Sequence, residues 1–219
     1  MKSCIFDFNG TLYQDTPMHK AAWKAFFQRM NVPFTDEGFY KYMCGPPNSD
    51  ILRRFIDPKL TDAQVAALSE EKEHIYRRII LDDPALQTLT PGAAEMLDYM
   101  KAEGIPHAIA TGAEKGNMDF YMKVLDIGRW FDWDHISCAH RGLPGKPDPA
   151  IYRVTMEKLG YDPAETMVVE DALAGVRSAV GAGVKTVVAI DTTLGADAFA
   201  DIPEVVAVIH DFHGFRAFV

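Results

Sequence analysis

Ser3-Cys4-Ile5-Phe6-Asp7-Phe8-Asn9-Gly10-Thr11 decides how the rest of the chain is read. Residues 3–8 form a short apolar run that reads as a buried strand, and Asn9-Gly10-Thr11 is turn chemistry. The run carries a carboxylate, Asp7, at its far end. Open α/β sheets hold ligands beyond the carboxyl ends of their strands, so an acid placed there marks a candidate site.

Outward from this strand the pattern changes twice. Between Asp15 and about Ile80, Trp23, Phe26, Phe27 and Met30 recur at helical spacing, and residues 63–80 form a second long helical pattern rich in Glu, Lys and Arg. No strand separates them. Beyond Pro91-Gly92, helical patterns over 93–103, 117–125, 149–159 and 172–180 alternate with strand patterns over 105–110, 133–138, 166–169, 184–190 and 205–209. Such alternation predicts parallel strands joined by right-handed crossovers. The expected architecture is α/β: a Rossmann-like doubly wound parallel sheet of about five strands from residues 1–14 and 85–219, with a helical cap domain inserted over 15–84.

Composition narrows the function. A chain of 219 residues holds one or two domains, and 48% hydrophobic with 24% charged residues is ordinary for a globular protein. The net charge of −9 disfavours broad contact with nucleic acid or anionic membranes. No apolar run reaches the roughly 18 residues of a membrane helix, and none is flanked as a signal peptide is. Cys4, Cys44 and Cys138 are odd in number and widely spaced, with no metal-binding pattern. A reduced, cytoplasmic monomer is the expectation.

Four strand ends carry polar residues: Asp7, Thr111, Lys146 in Gly145-Lys146-Pro147-Asp148-Pro149, and Glu170-Asp171. Each has a plain reading alone. An Asp after a strand commonly forms a turn, and an acidic pair favours the N-terminus of the next helix. Gathered on one sheet edge, they can form a site for a phosphate and a metal ion. Mg²⁺ takes hard oxygen ligands, and one or two carboxylates plus a substrate phosphate suffice. Lysine and threonine would then hold phosphate oxygens.

Taken in order, Asp7-Phe8-Asn9-Gly10-Thr11-Leu12, Ala110-Thr111-Gly112, Gly145-Lys146-Pro147-Asp148-Pro149 and Glu170-Asp171-Ala172-Leu173-Ala174-Gly175 resemble the haloacid dehalogenase superfamily. The likeness is to its phosphatases and phosphohexomutases with a helical cap after the first strand, and it spans nearly the whole chain. The resemblance implies that Asp7 is a nucleophile forming an aspartyl-phosphate. It implies that Thr111, Gly112 and Lys146 bind phosphate, and that Asp7, the backbone carbonyl of Asn9, Glu170 and Asp171 hold Mg²⁺. In the cap it singles out His19, Lys72 and the loop Gly45–Asp50, with Asn48, as contacts for the substrate. β-Phosphoglucomutases carry a lysine just before that glycine and an arginine three residues after it, to hold a second phosphate. This chain has Cys44 and Asn48 there, which favours a phosphatase over a mutase. Trp23 and Phe27 are read as cap core.

Residue 9 departs from the family pattern. Its phosphatases place a second aspartate there as general acid and then base, a role worth roughly 10²–10⁴ in rate. Asn9 keeps the backbone carbonyl but cannot move a proton. The expected function is a Mg²⁺-dependent phosphohydrolase of a small phosphorylated metabolite, such as a sugar phosphate. A phosphometabolite-binding protein with impaired turnover and a phosphohexomutase stay open as alternatives. A dehalogenase, with tyrosine at the position of Asn9 and no metal, is disfavoured by Glu170-Asp171.

Overall fold

The computed structural model describes residues 2–140, 142–192 and 195–219. The chain forms two units, Met1–Gln14 with Thr88–Val219, and Asp15–Gln87. The second crossing falls after Gln87 because Pro84–Leu86 form a short 3₁₀ turn and the Gln87 Nε2 donates back to the Ile80 carbonyl at 3.0 Å.

The inserted unit holds α1 (Thr16–Arg29), α2 (Asp36–Tyr42), α3 (Asn48–Phe55) and α4 (Asp62–Asp82). Thr35 caps α2, accepting from the Gly38 amide, and Thr61 with Gln64 forms a capping box that starts α4. Trp23, Phe26 and Phe27 of α1 pack with Phe39, Ile51, Leu52 and Val65, so Trp23 and Phe27 are core residues as the sequence suggested. Asn48 to Asp50, expected in a loop, are the first turn of α3. Pro47 precedes them in extended geometry, which ends the loop one residue before Asn48.

The other unit is a parallel sheet of β1 (Ser3–Phe6), β2 (His107–Glu114), β3 (Ile136–Ala139), β4 (Thr166–Glu170), β5 (Thr186–Ile190) and β6 (Val205–Ile209), in the order β3-β2-β1-β4-β5-β6. Six strands form, one at each segment read as strand, although a sheet of about five was expected. The weak 133–138 segment divides: Asp132 Oδ1 accepts from the amides of Asp134 and His135 and holds Trp133–His135 in a 3₁₀ turn, leaving Ile136–Ala139 to pair. β2 also runs further than expected, through Thr111 to Glu114, with an irregularity in its pairing to β3 between Ala110 and Glu114.

The helices of this unit are α5 (Ala93–Ala102), α6 (Lys115–Val124), α7 (Ala150–Leu159) and α8 (Leu173–Gly181). Successive side chains of a strand face opposite ways. On β1, Ile5 joins Val168, Ile151, Tyr152, Val176 and Ala179, while the Phe6 ring lies 6.0 Å from Phe212 and 6.1 Å from Phe215. Both faces are covered, which explains the continuous apolar run. Truncating Ile5 to alanine would cost about 2–5 kcal/mol through the cavity left. No helix among the described residues is long and apolar enough to cross a membrane. The strand order reverses between β1 and β4, so the ends of those two neighbours mark the topological switch point.

Candidate active site

Asp7 follows β1 directly, its amide still bonded to the Val169 carbonyl of β4 at 2.9 Å. Its carboxylate is nearly buried and is met by Lys146, whose Nζ lies 2.6 Å from Asp7 Oδ1, 2.5 Å from Glu170 Oε1 and 3.0 Å from the Ala110 carbonyl oxygen. The turn before α7 sets that lysine. The Asp148 amide donates to the Gly145 carbonyl at 3.0 Å, and Asp148 Oδ1 accepts from Ala150 N at 2.9 Å. Burial alone would pull the ammonium down. The charges of Asp7 and Glu170 outweigh it and raise Lys146 above the ordinary lysine range, so it stays charged.

Glu170 ends β4 with no exposure to speak of, and both its oxygens have protein partners. Oε1 accepts from Lys146 and, at 2.8 Å, from the Tyr152 hydroxyl of α7; Oε2 accepts from the Ala172 amide at 3.1 Å. Asp171 accepts from the Thr11 hydroxyl at 3.3 Å. Oxygens of Asp7, Glu170 and Asp171 lie within 4.8 Å of one another. Burial first, then Glu170 and Asp7, push the Asp171 carboxyl well above the ordinary carboxylate range, against the pull of Lys146. Among the described residues, three carboxylates thus gather about the Lys146 ammonium. Surplus negative charge on hard oxygen donors suits a small divalent cation such as Mg²⁺.

Two glycines make room for the acids. A Cβ on Gly10, whose φ is +83°, would meet Asp171 Oδ2 at 2.2 Å, and one on Gly175 would meet Glu170 Oε1 at 1.8 Å. Neither substitution fits without moving an acid.

Asn9 is held by side chains from two other elements. Its Nδ2 donates to the Tyr121 hydroxyl of α6 at 2.9 Å, and its Oδ1 accepts from the Thr111 hydroxyl at 3.3 Å. Thr111 Oγ1 in turn accepts from the Ala113 amide at 3.0 Å. Gly112 is exposed, with open space where a side chain would stand. Of the residues singled out in this unit, Asp7, Asn9, Thr111, Lys146, Glu170 and Asp171 are thus tied into two adjoining groups around the switch point.

The inserted unit gathers its own three. Lys72 Nζ lies 2.7 Å from His19 Nδ1 and donates to Glu73 Oε1 at 2.9 Å; Asn48 Nδ2 donates to the same Glu73 oxygen at 2.8 Å. His19 stacks on Tyr76 at 4.0 Å between ring centres, and its Nε2 is 3.2 Å from Asp15 Oδ2.

The sequence reading missed Tyr121, Tyr152, Asp15, Glu73 and Tyr76. A tyrosine at helical spacing reads as core, and Glu73 lies in the charged run Glu70-Glu71-Lys72-Glu73 that reads as a solvated face. One signal was present for Tyr152: it falls three residues after Pro149, at a position of α7 that returns to the helix start beside Lys146.

Residues 1–183 match the model of the haloacid dehalogenase-like hydrolase family. Hexitol phosphatase A of Escherichia coli is 32% identical over 182 residues, covering 83% of this chain and 80% of that protein. The phosphorylated carbohydrates phosphatase of Thermotoga maritima is 26% identical over 191 residues, covering 85% and 84%. Among solved structures, a haloacid dehalogenase hydrolase of family IA, variant 3, from Entamoeba histolytica superposes with a TM-score of 0.89 at 30% identity, covering 98% of this chain and 95% of that one.

Proposed function

We propose, for a chain that belongs to the haloacid dehalogenase-like hydrolase family, a Mg²⁺-dependent phosphohydrolase of small phosphorylated metabolites acting through a phosphorylated Asp7. The observation that carries this reading is the surplus of carboxylates, Asp7, Glu170 and Asp171, around Lys146 at the switch point. The names of the relatives, a phosphatase of phosphorylated carbohydrates and one of hexitols, support a sugar phosphate or similar monoester as the substrate. A reduced, cytoplasmic monomer remains the accompanying proposal.

In this reading the Asp7 carboxylate attacks phosphorus in line and expels the alcohol, and water then hydrolyses the acyl phosphate. Lys146 orients Asp7 and balances charge on the phosphoryl oxygens, helped by the Thr111 hydroxyl and the backbone at Gly112. Asp7, Asp171 and the Asn9 carbonyl would hold Mg²⁺. Glu170, already accepting from Lys146, Tyr152 and Ala172, adds its charge from one position further out. When bound, the cation offsets the phosphate's charge against the carboxylates. His19, Asn48 and Lys72 remain proposed substrate contacts, on the family resemblance alone.

Asn9 bears on turnover. Its amide supplies no proton to a leaving alkoxide, and both ring nitrogens of His19 already face partners in its own unit. A substrate with a good leaving group, such as an acyl phosphate, needs no such proton. The same observation favours a second reading, a phosphometabolite-binding protein with impaired turnover. A phosphate-release screen over a metabolite panel separates the two. Release that needs Mg²⁺ and vanishes in Asp7→Asn supports the hydrolase; ligand binding with no release at any pH supports the binding protein.

A further inference from the structure

Two threonines outside the strings that carry the family resemblance donate to the turn after β1. The Thr90 hydroxyl donates to the Thr11 carbonyl at 2.6 Å, and its amide donates to the Leu12 carbonyl at 2.9 Å. The Thr192 hydroxyl, just past β5, donates to the Gly10 carbonyl at 3.3 Å. Thr90 is buried and Thr192 half-buried. A carbonyl only accepts and a hydroxyl carries one proton, so both donor roles are settled.

What these bonds hold is backbone that packs against the acids. The Gly10 amide donates to the Tyr13 carbonyl at 2.7 Å, so the carbonyls of Gly10, Thr11, Leu12 and Tyr13 each accept a hydrogen bond. A peptide unit is planar and trans, with its C=O and N–H pointing opposite ways. Fixing the Gly10 N–H on Tyr13 therefore fixes the direction of the Asn9 carbonyl, one of the oxygens proposed for Mg²⁺. The same turn touches a second one. Gly10 has no room for a Cβ beside Asp171 Oδ2, and the fully buried Thr11 hydroxyl donates to Asp171 Oδ1 at 3.3 Å. A shift of the turn would move Asp171 with it.

We infer that Thr90 and Thr192 are positioning residues for the cation, setting the Asn9 carbonyl and the Asp171 carboxylate relative to each other through the Gly10-Thr11 backbone. Thr90 carries the larger share, because its bond is shorter and lies in the dry interior. This role rests on the phosphohydrolase reading, in which Asp7, Asp171 and the Asn9 carbonyl hold the ion.

The test is direct metal binding by the full chain, without substrate. Mn²⁺ takes the same hard oxygen donors as Mg²⁺, and the EPR signal of the free ion reads its affinity. Asp171→Ala removes a ligand and should abolish binding. Thr90→Val keeps the branched shape without the donor and should weaken Mn²⁺ about tenfold, while Thr90→Ser stays within about twofold of the parent. Thr192→Val should weaken it severalfold, and decides the matter alone if Thr90→Val does not fold. A merely structural part would lower the urea midpoint of the valine variants and leave the Mn²⁺ affinity of the folded protein as in the parent. That result, or a loss as large in Thr90→Ser as in Thr90→Val, overturns the inference and leaves the hydrolase reading standing. Mn²⁺ that fails to bind the parent, or binds Asp171→Ala equally, overturns that reading and this inference with it.

Discussion

Asn9 and Tyr121 are joined by a 2.9 Å hydrogen bond in which the amide donates to the phenol oxygen. With Thr111 on the other side, residue 9 is received by two hydroxyls. A hydroxyl donates or accepts as its neighbour requires. The same two groups would therefore hold a carboxylate at this position, both donating, with no rearrangement of the backbone.

Asn9→Asp should accordingly fold as well as the parent and gain phosphatase activity on alkyl phosphomonoesters, recovering much of the roughly 10²–10⁴ that a positioned acid–base supplies. Activated aryl phosphates leave without protonation and should gain far less in their first step. Water attack also needs a base, so mass spectrometry after rapid acid quench should find a phosphoryl group on Asp7 in the Asn9 protein and little in the variant. Unchanged alkyl-ester turnover would remove proton transfer at residue 9 as the limiting deficit.

Chelating the metal should abolish binding of BeF₃⁻ or vanadate, because the carboxylates of Asp7, Glu170 and Asp171 then repel an anion, with Lys146 the ammonium bonded to two of them. Asp171→Ala should behave likewise at ordinary Mg²⁺ concentrations. Titration calorimetry reads both, and equal binding in excess chelator contradicts the assignment.

Tyr152→Phe removes one hydroxyl from Glu170 Oε1 and keeps the ring 5.0 Å beneath the Lys146 ammonium. Losing the partner of a buried carboxylate should cost about 1–3 kcal/mol in stability. Lys146 should also be held less firmly, so phosphate affinity should fall severalfold while urea unfolding stays cooperative. A variant with native phosphate affinity would reduce Tyr152 to a packing residue.

His107 opens β2, donates from Nδ1 to the Ile105 carbonyl at 2.7 Å and lies edge-on to Phe131. Burial pulls its pKa below the ordinary histidine value. As pH falls through about 6.5 the unfolded chain takes up this proton before the folded one does. Its contribution to stability is therefore present above that pH and lost below it. The urea midpoint should drop between about pH 7.5 and 5.5, and drop less in His107→Asn, which retains a donor for Ile105. Parallel slopes for the two proteins would assign the acid loss to other groups.

Much of the core site was legible because its chemistry sits at strand ends in local strings. Asp7, Lys146 and Glu170-Asp171 each lie beside turn or cap residues that mark a boundary. Their partners lie mid-helix. Tyr121 and Tyr152 carry their hydroxyls on otherwise apolar faces, and only the fold shows that Asn9 and Glu170 meet them. The third strand starts later than its 133–138 pattern because Asp132 holds Trp133–His135 in a capped turn. Glu73 was hidden among like residues, since nothing local marks which glutamate of a charged helix turns inward.

Gly10 and Gly175 each stand where a single methyl group would collide with an acid, Asp171 in one case and Glu170 in the other. Neither has a side chain to take part in the chemistry. In a saturation scan scored by activity, both positions should nonetheless tolerate as little as Asp7 does. What is retained there is room for a neighbour's carboxylate, so a ranking by intolerance would place two residues without functional groups among the chemical ones.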